Sequence, residues 1–504
     1  MFILIFLLGF SLLHLISRDF KLTEKLALAM PIGFGLTSFI MFFLDRTIHS
    51  ITAGGIEACV GILALAFLGA RLYMDNKAND LPWKRPRQKP DLSWLTLLWV
   101  VFAGMTATLV YGICVKALYW PTHDFDAILG YDLLSKAIVH EHSLANSVLT
   151  TPDIVNNCGP RLLYPPLFAL SNALPYFAGM EIPGLTMALF FASWAFICYL
   201  LLRRLVSSSG AIIFTFLTII IPEMFYRASV CGTNLPCAIY TSIAVMSFLI
   251  WYEQRKEGFF YLSLMAIMFG IFTRSEAVLF AGGIMAVLLY VAVRERKFKY
   301  LLIYFAALIP LIMWNLFLKA YVPRDQAGIF ILKPFYDPSK LAHVLNTAWE
   351  IMTTKQYYGV SFYIAIAGFV IIIISDIALS FDKKANKILA GAAVVWLIIY
   401  LAVGATLLSI VLFAVLLIAV AYVNDDRWPL ILIFSLALLA YTMTFYQMKD
   451  EDGSLFGPGG WIQSGYKRGL FNYAPLGLFI LVTSKWVSWA FNKLDDQMRL
   501  FPKR

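Results

Sequence analysis

The amino-acid sequence predicts an all-α integral membrane protein that crosses the bilayer many times, and three observations support this. Of its 504 residues, 61% are hydrophobic and only 14% are charged. A soluble protein of this size carries close to twice that share of charged residues. The apolar residues come in runs of spanning length, and the loops between them differ in their content of Lys and Arg. Lipid must therefore be the solvent for most of this chain.

Apolar runs of roughly spanning length predict about fifteen transmembrane helices. The first run resembles a signal peptide, but no basic stretch precedes it and no cleavage site of small residues follows, so we expect an uncleaved first span. A shorter run at 162–180 is interrupted by Pro165, Pro166 and Pro175. We expect this run to lie along the outer membrane surface. The predicted spans are 1–17, 26–44, 51–73, 94–117, 184–202, 210–222, 236–252, 258–273, 277–293, 299–318, 359–379, 388–403, 405–423, 429–445 and 470–489.

Basic residues predict the orientation of the chain, because cytoplasmic loops of membrane proteins carry an excess of Lys and Arg. When the basic loop 74–93 is placed in the cytoplasm, Arg203, Arg204 and the tail 490–504 fall on the same side. No Asn-x-Ser/Thr glycosylation site occurs, which favours a bacterial inner membrane. The net charge of +10 is thus explained by membrane topology, and we expect no nucleic-acid partner.

Three long loops are predicted on the opposite, outer side, where they contrast with the short inner loops. They are rich in Trp, Tyr, Pro and charged residues. Long loops on a rigid scaffold commonly carry binding and catalytic residues, so we expect the functional site on this side of the membrane. The three loops are 118–183, 319–358 and 446–469.

Two aspartates, Asp124 and Asp126, directly follow the predicted helix 94–117, among aromatic residues at the outer membrane edge. A partly desolvated carboxylate in this position is suited to act as a general base. Two acids this close are also suited to share a divalent cation such as Mg²⁺ or Mn²⁺. The structural alternative is a solvated loop in which an aspartate caps the helix expected over 127–140. The spacing alone leaves these three interpretations open.

Several short motifs occur in order along the outer loops and the helices that follow them. They are Asp126-Ala127, Lys136-Ala137, Tyr164-Pro165-Pro166-Leu167, the stretch GIFTRSE over 270–276, and Tyr466-Lys467-Arg468-Gly469-Leu470 followed by Pro475-Leu476. Together these motifs resemble the GT-C superfamily of polytopic glycosyltransferases, which includes protein mannosyltransferases and the lipid A aminoarabinose transferase. The resemblance covers residues 94 to about 489.

The resemblance implies a GT-C-type multi-span helical bundle with partly helical outer loops over 94–489. Residues 1–93 would then add three N-terminal helices and a basic loop, and 490–504 would form a basic cytoplasmic tail. The implied activity is inverting transfer of a sugar from a polyprenyl-phosphate donor to a lipid, glycan or protein acceptor. One departure concerns the next outer loop, where many members carry a second acid and this chain has Gly232 to Pro236. That departure puts a metal site shared between the loops in doubt.

Carried onto this sequence, the resemblance implies a role for each motif residue. A guanidinium suits the donor phosphate because it can donate two parallel hydrogen bonds. Arg274 is equally suited to a structural ion pair with Glu276. The implied roles are catalysis for Asp126 and Asp124; binding of the donor phosphate for Arg468, Arg274, Arg161 and Lys467; and support of the site for Glu276, Lys136, Tyr466 and Asn234.

Two other classes of function remain open. An O-antigen ligase or polymerase is also a multi-span enzyme with lipid-linked substrates, but it relies on Arg and His in one large loop. A flippase or transporter of lipid-linked glycans needs charged groups inside its helices, where this chain has few besides Glu57. Cys158 and Cys231 could pair across the outer loops or remain two separate thiols. The six cysteines include no CxxC pair, so no zinc site is expected.

Overall fold

The computed structural model describes residues 1–77, 94–122, 124–323, 338–361, 363–364, 367–368, 384–403, 407–424, 427–447 and 461–499. Within these ranges every regular element is a helix and there is no strand, which confirms the prediction of an all-α chain for them. The predicted span 359–379 falls mostly outside the described residues. The α-helices are α1 Phe2–Ile16, α2 Leu22–Thr47, α3 Ala53–Lys77, α4 Trp94–Tyr119, α5 Asp132–Glu141, α6 Ser147–Thr150, α7 Pro152–Cys158, α8 Leu167–Phe177, α9 Leu185–Leu202, α10 Ser208–Ile219, α11 Pro222–Ala228, α12 Asn234–Gln254, α13 Glu257–Thr273, α14 Val278–Glu295, α15 Lys299–Tyr304, α16 Ile309–Tyr321, α17 Pro338–Thr353, α18 Lys384–Val403, α19 Leu407–Asn424, α20 Trp428–Gln447, α21 Trp461–Leu470, α22 Ala474–Thr483 and α23 Lys485–Arg499.

Nine helices in the described ranges are long and apolar enough to cross a membrane. The number rises to eleven if each of two bent pairs counts as one span: α10 with α11, bent by 67°, and α21–α22 with α23, bent by 65°. The chain is therefore a multi-pass membrane protein, with fewer such helices in the described ranges than the roughly fifteen expected from hydropathy. The nine are α2, α3, α4, α9, α12, α14 with the turn before it, α15 continued by α16, α18 and α20.

Some predicted spans are shorter than a straight crossing requires. Helix α1 has 15 residues and α13 has 17, which at a rise of 1.5 Å per residue is about 22–26 Å. The hydrocarbon core of a bilayer is about 30 Å thick. Both helices pack against a longer neighbour, α1 against α2 and α13 against α12. These two apolar runs thus form helices, as predicted, but neither helix is long enough to span the bilayer core in a straight line.

Helix α8 corrects the prediction for the run 162–180. Every residue from Leu167 to Pro175 is buried, so α8 lies inside the protein and not along the membrane surface. Two serines bind its first carbonyl groups: Ser38 of α2 donates to Leu167 at 3.1 Å, and Ser135 of α5 donates to Ala169 at 2.9 Å. An interfacial helix needs one polar face, and this helix is apolar around nearly its whole circumference.

Helix α2 joins the N-terminal segment to the rest of the protein at both of its ends. At its start, Glu24 receives two hydrogen bonds from Arg204, at 2.6 and 2.7 Å. Near its last turn, the fully buried Asp45 accepts from the backbone N–H of Leu144 at 2.8 Å. Arg204 belongs to a predicted inner loop and Leu144 to a predicted outer loop, so the two ends of α2 contact segments predicted on opposite sides of the membrane.

Candidate functional site

The chain turns into a helix at Asp124, directly after α4. Oδ1 of Asp124 accepts a hydrogen bond from the backbone N–H of Asp126 at 2.9 Å, and its carbonyl oxygen accepts from Ala127 and Ile128. These are the contacts of a helix N-cap, so Asp124 performs the capping role that the sequence left open. Residues Ala127–Tyr131 form one π-helical turn that leads into α5, and such turns are frequent at functional sites.

Asp126 lies between two arginines that are distant in the sequence. Nε of Arg161 donates to its Oδ1 at 2.5 Å, and Nη1 of Arg468 donates to its Oδ2. The carboxylate side chain is 12% exposed, whereas the two arginine side chains are 27% and 33% exposed. The residue predicted as the base and two residues predicted to bind phosphate are therefore in direct contact.

Local backbone structure positions Arg161. It lies in the 3₁₀ turn Gly159–Leu163, and its Nη1 donates to the carbonyl oxygen of Cys158 at 3.0 Å. Its guanidinium stands over the ring of Phe125, 4.6 Å from the centroid. A Cβ atom at Gly130 would lie 2.9 Å from Cβ of Arg161, so only glycine allows the π turn to approach this closely. The π turn and Arg161 are thus in close contact, and this contact requires glycine at position 130.

A second group of charges adjoins the first and includes Glu223, which the sequence analysis did not single out. Nε of Arg227 donates to Oε1 of Glu223 at 2.9 Å, and Nη1 of Arg227 lies 3.8 Å from Oδ2 of Asp124. Nζ of Lys467 lies 3.8 Å from Oε2 of Glu223. Glu223 precedes Arg227 by four residues on α11, a spacing typical of helical ion pairs, and this was the available signal. Lys467 and the neighbouring Arg468 thus contact two different acids.

Arg274 is buried, and all five of its N–H groups are directed at side chains of the protein. Nε and one Nη2 hydrogen reach the carboxylate of Glu276, at 3.1 and 2.5 Å. Nη1 donates to Asn234 at 2.5 Å and to Thr233 at 3.4 Å. The remaining Nη2 hydrogen reaches the hydroxyl of Tyr164 at 3.1 Å. This donor set favours the structural ion pair over direct contact with a phosphate, because the phosphate would have to break existing bonds.

Two of the predicted supporting residues have partners away from Asp126. Nζ of Lys136 forms an ion pair of 2.8 Å with the buried Asp132, one helical turn earlier on α5. The hydroxyl of Tyr466 is buried against Thr442 at 2.9 Å. Among the described contacts, neither residue touches Asp126, so their support of the site is indirect.

The aspartate pair does not fit the divalent-cation site that the sequence left open. Among the described residues, no three His, Cys, Asp or Glu side chains gather as a possible ligand set. Asp124 faces Arg227, and both oxygens of Asp126 accept from arginines. Guanidinium groups thus occupy the positions that a divalent cation would need around these carboxylates.

Cys158 and Cys231 are both free thiols, so the structure has them as two separate cysteines. The thiol of Cys231 donates to the carbonyl oxygen of Pro183 at 3.1 Å. Burial raises the pKa of the Cys231 thiol to about 12. Cys231 also lines a small cavity beside the aspartates, with room for about one water. The other residues lining that cavity are Asp124, Asp126, Tyr131, Arg227, Val230, Gly232, Asn234 and Leu235.

Fold and site together define a multi-pass α-helical membrane protein with a cluster of acids and arginines at one end of its helices. Comparison of the chain with protein-family models, with curated proteins and with solved structures gives no match. The likeness to the GT-C superfamily therefore rests on the sequence motifs alone and stays a prediction.

Proposed function

We propose that this chain is an inverting glycosyltransferase of GT-C type. It would move a sugar from a polyprenyl-phosphate donor to a hydroxyl of a lipid, glycan or protein acceptor, at the outer face of a bacterial inner membrane. The observation that carries the proposal is a pair of ion pairs. The buried carboxylate of Asp126 contacts both Arg161 and Arg468, which belong to two different predicted outer loops. Transfer from a lipid phosphate needs both chemistries, a base for the acceptor and cations for the leaving group.

Asp126 is the proposed general base. It takes the proton of the acceptor hydroxyl while the hydroxyl oxygen forms a bond to the anomeric carbon of the sugar. The bond from that carbon to the phosphate oxygen breaks, and its electron pair leaves with the polyprenyl phosphate. A single displacement of this kind inverts the anomeric configuration. Asp124 is less suited to this role, because its side chain caps the following helix.

The cations around Asp126 are the proposed stabilisers of the leaving phosphate. Arg161 and Arg468 can present guanidinium N–H groups to it, and Lys467 directly precedes Arg468 on α21. Fixed donors aimed at a developing charge in a water-poor site are commonly the largest catalytic contribution. Arg274 is proposed as a positioning residue, since its bonds to Asn234 and Glu276 hold the starts of α12 and α14 together.

The test is a transfer assay with purified full-length protein in lipid nanodiscs. Radiolabelled polyprenyl-phosphate sugars are supplied as donors and a membrane lipid and glycan extract as the source of acceptors. Asp126→Asn should lower the rate of transfer about 10²–10⁴-fold, as loss of a positioned base does. The matched control is Asp153→Asn, an exposed aspartate on α7, which should transfer at the wild-type rate.

The same assay separates the rival classes. Transfer that survives in Asp126→Asn and is lost in arginine variants would favour an enzyme of the O-antigen ligase type. Movement of labelled donor across the bilayer without formation of a product would favour a flippase. Either result would overturn the proposed mechanism.

A further inference from the structure

We infer that Asp126 is an internal competitor for the donor phosphate: it occupies the anion position between Arg161 and Arg468, and the phosphate must displace it. The inference rests on the proposed function, and it adds an order of events to it. Until the donor is bound, both oxygens of Asp126 are held by guanidinium groups. Once the phosphate takes those groups, the carboxylate is free to accept a proton.

A carboxylate and a phosphate are alike as partners for arginine. A guanidinium binds a carboxylate and a phosphate through the same forked pair of N–H donors. Arg161 and Arg468 each contact a different oxygen of the Asp126 carboxylate. A phosphate oxygen entering between the two arginines would therefore meet donors that are already directed at an anion. It would also meet the negative charge of Asp126, so the two anions cannot share the position without repulsion.

The ion pair of Arg468 with Asp126 differs from that of Arg274 with Glu276 in how readily it can be exchanged. Arg274 and Glu276 also form an ion pair, but all five N–H groups of Arg274 are bonded, and its side chain is only 7% exposed. Among the described contacts, Arg468 donates to Asp126 alone, and a third of its side chain is exposed. Arg468 therefore has donors and access for a second anion, and Arg274 has neither.

The same exchange would make the carboxylate of Asp126 available as a base. Each oxygen of Asp126 already accepts a guanidinium N–H group, which leaves fewer lone pairs for the hydroxyl of an acceptor. Transfer of the two guanidinium groups to a phosphate would open those positions. Asp126 also borders the small cavity that Asp124 and Asn234 line, so a water-sized space adjoins this residue. The acceptor hydroxyl would be deprotonated only after the donor has arrived.

The experiment measures binding of polyprenyl phosphate without a sugar, so that no reaction can occur. Full-length protein in nanodiscs is titrated as wild type, Asp126→Asn and Asp124→Asn. Asp126→Asn should bind the lipid phosphate at least tenfold more tightly, because the competing charge is gone. Asp124→Asn removes the same charge two residues away, without contact to either arginine, and should change the affinity less than about threefold. Inorganic phosphate, titrated alone, should also bind Asp126→Asn more tightly than wild type, because it would meet the same two guanidinium groups.

Two further variants at position 126 separate the effect of the charge from an effect on folding. Asp126→Glu retains an internal anion and should stay within about threefold of the wild-type affinity, and Asp126→Ser replaces Asp126→Asn if that variant does not fold. Unchanged or weaker phosphate binding in Asp126→Asn and Asp126→Ser would overturn the exchange, even if sugar transfer were confirmed. Tighter binding without transfer from any donor would instead support the exchange and overturn the proposed reaction.

Discussion

Asp126 and Arg468 lie 342 positions apart in the sequence, yet the guanidinium of Arg468 donates directly to the carboxylate of Asp126. Asp126 directly precedes the π turn before α5, and Arg468 lies in the last turn of α21. The contact fastens the first and last of the predicted outer loops to each other. Substitutions at the two positions will therefore not have independent effects on stability or on activity.

The capping role of Asp124 predicts different outcomes for two substitutions. Asp124→Ala removes the oxygen that accepts from the N–H of Asp126 and should lower the free energy of unfolding by about 1 kcal/mol. Asp124→Asn keeps an oxygen in the same place and should stay close to wild type, because Asn is as good a cap as Asp. Thermal unfolding in detergent compares the two. Equal losses in both variants would show that the charge of Asp124, and not its cap, matters.

The saturated donor set of Arg274 predicts a large loss of stability on substitution. Arg274→Met leaves Glu276 without its ion pair and Asn234 without its donor, at a cost of about 3–5 kcal/mol. Arg296→Met removes an exposed arginine from the end of α14 and should cost less than about 0.5 kcal/mol. Urea or thermal unfolding in micelles measures both. A wild-type stability for Arg274→Met would mean that its five bonds contribute nothing net.

Cys231 should be unreactive in the folded protein. Its thiol pKa is raised to about 12 by burial, so at pH 8 the thiol keeps its proton, and only the thiolate reacts with maleimide. The measurement uses a chain in which every other cysteine is replaced. Labelling should be absent in the folded state and complete after denaturation. Asp153→Cys in a chain without native cysteines provides the exposed, reactive control.

The orientation in the membrane predicts which added cysteines are accessible from outside. Asp153→Cys lies in a predicted outer loop and should react with an impermeant reagent in intact cells. Gln497→Cys lies on α23, predicted inside, and should react only after the membrane is opened. Both positions are exposed in the structure, so burial cannot explain a difference between them. Labelling of Gln497→Cys in intact cells would reverse the orientation and place the site in the cytoplasm.

Sequence patterns predicted the helical class and several residues of the site, because hydropathy and motif spacing are local properties. The sequence could not predict that Asp126 would pair with Arg161 and Arg468, since that depends on how distant helices pack. Glu223 was overlooked because it directly follows the long apolar run of α10 and lacks a motif of its own. Helix α8 was placed at the membrane surface because its run is short and interrupted by prolines, and these local properties do not show that a short apolar helix packs inside the protein.

The contacts at the two ends of α2 have a consequence for how the protein is made. Glu24 is synthesised 180 residues before Arg204, and Asp45 is synthesised 99 residues before Leu144. At 5–20 residues per second, Glu24 waits roughly 9–36 s for its partner. During that interval Glu24 lacks its bonds from Arg204, whereas Asp45 already has Arg46 beside it and lacks only its later partners in the outer loop, such as Leu144. Helix α2 can therefore complete its contacts only after residue 204 has been synthesised, and a ribosome stalled before that residue would leave it incompletely assembled.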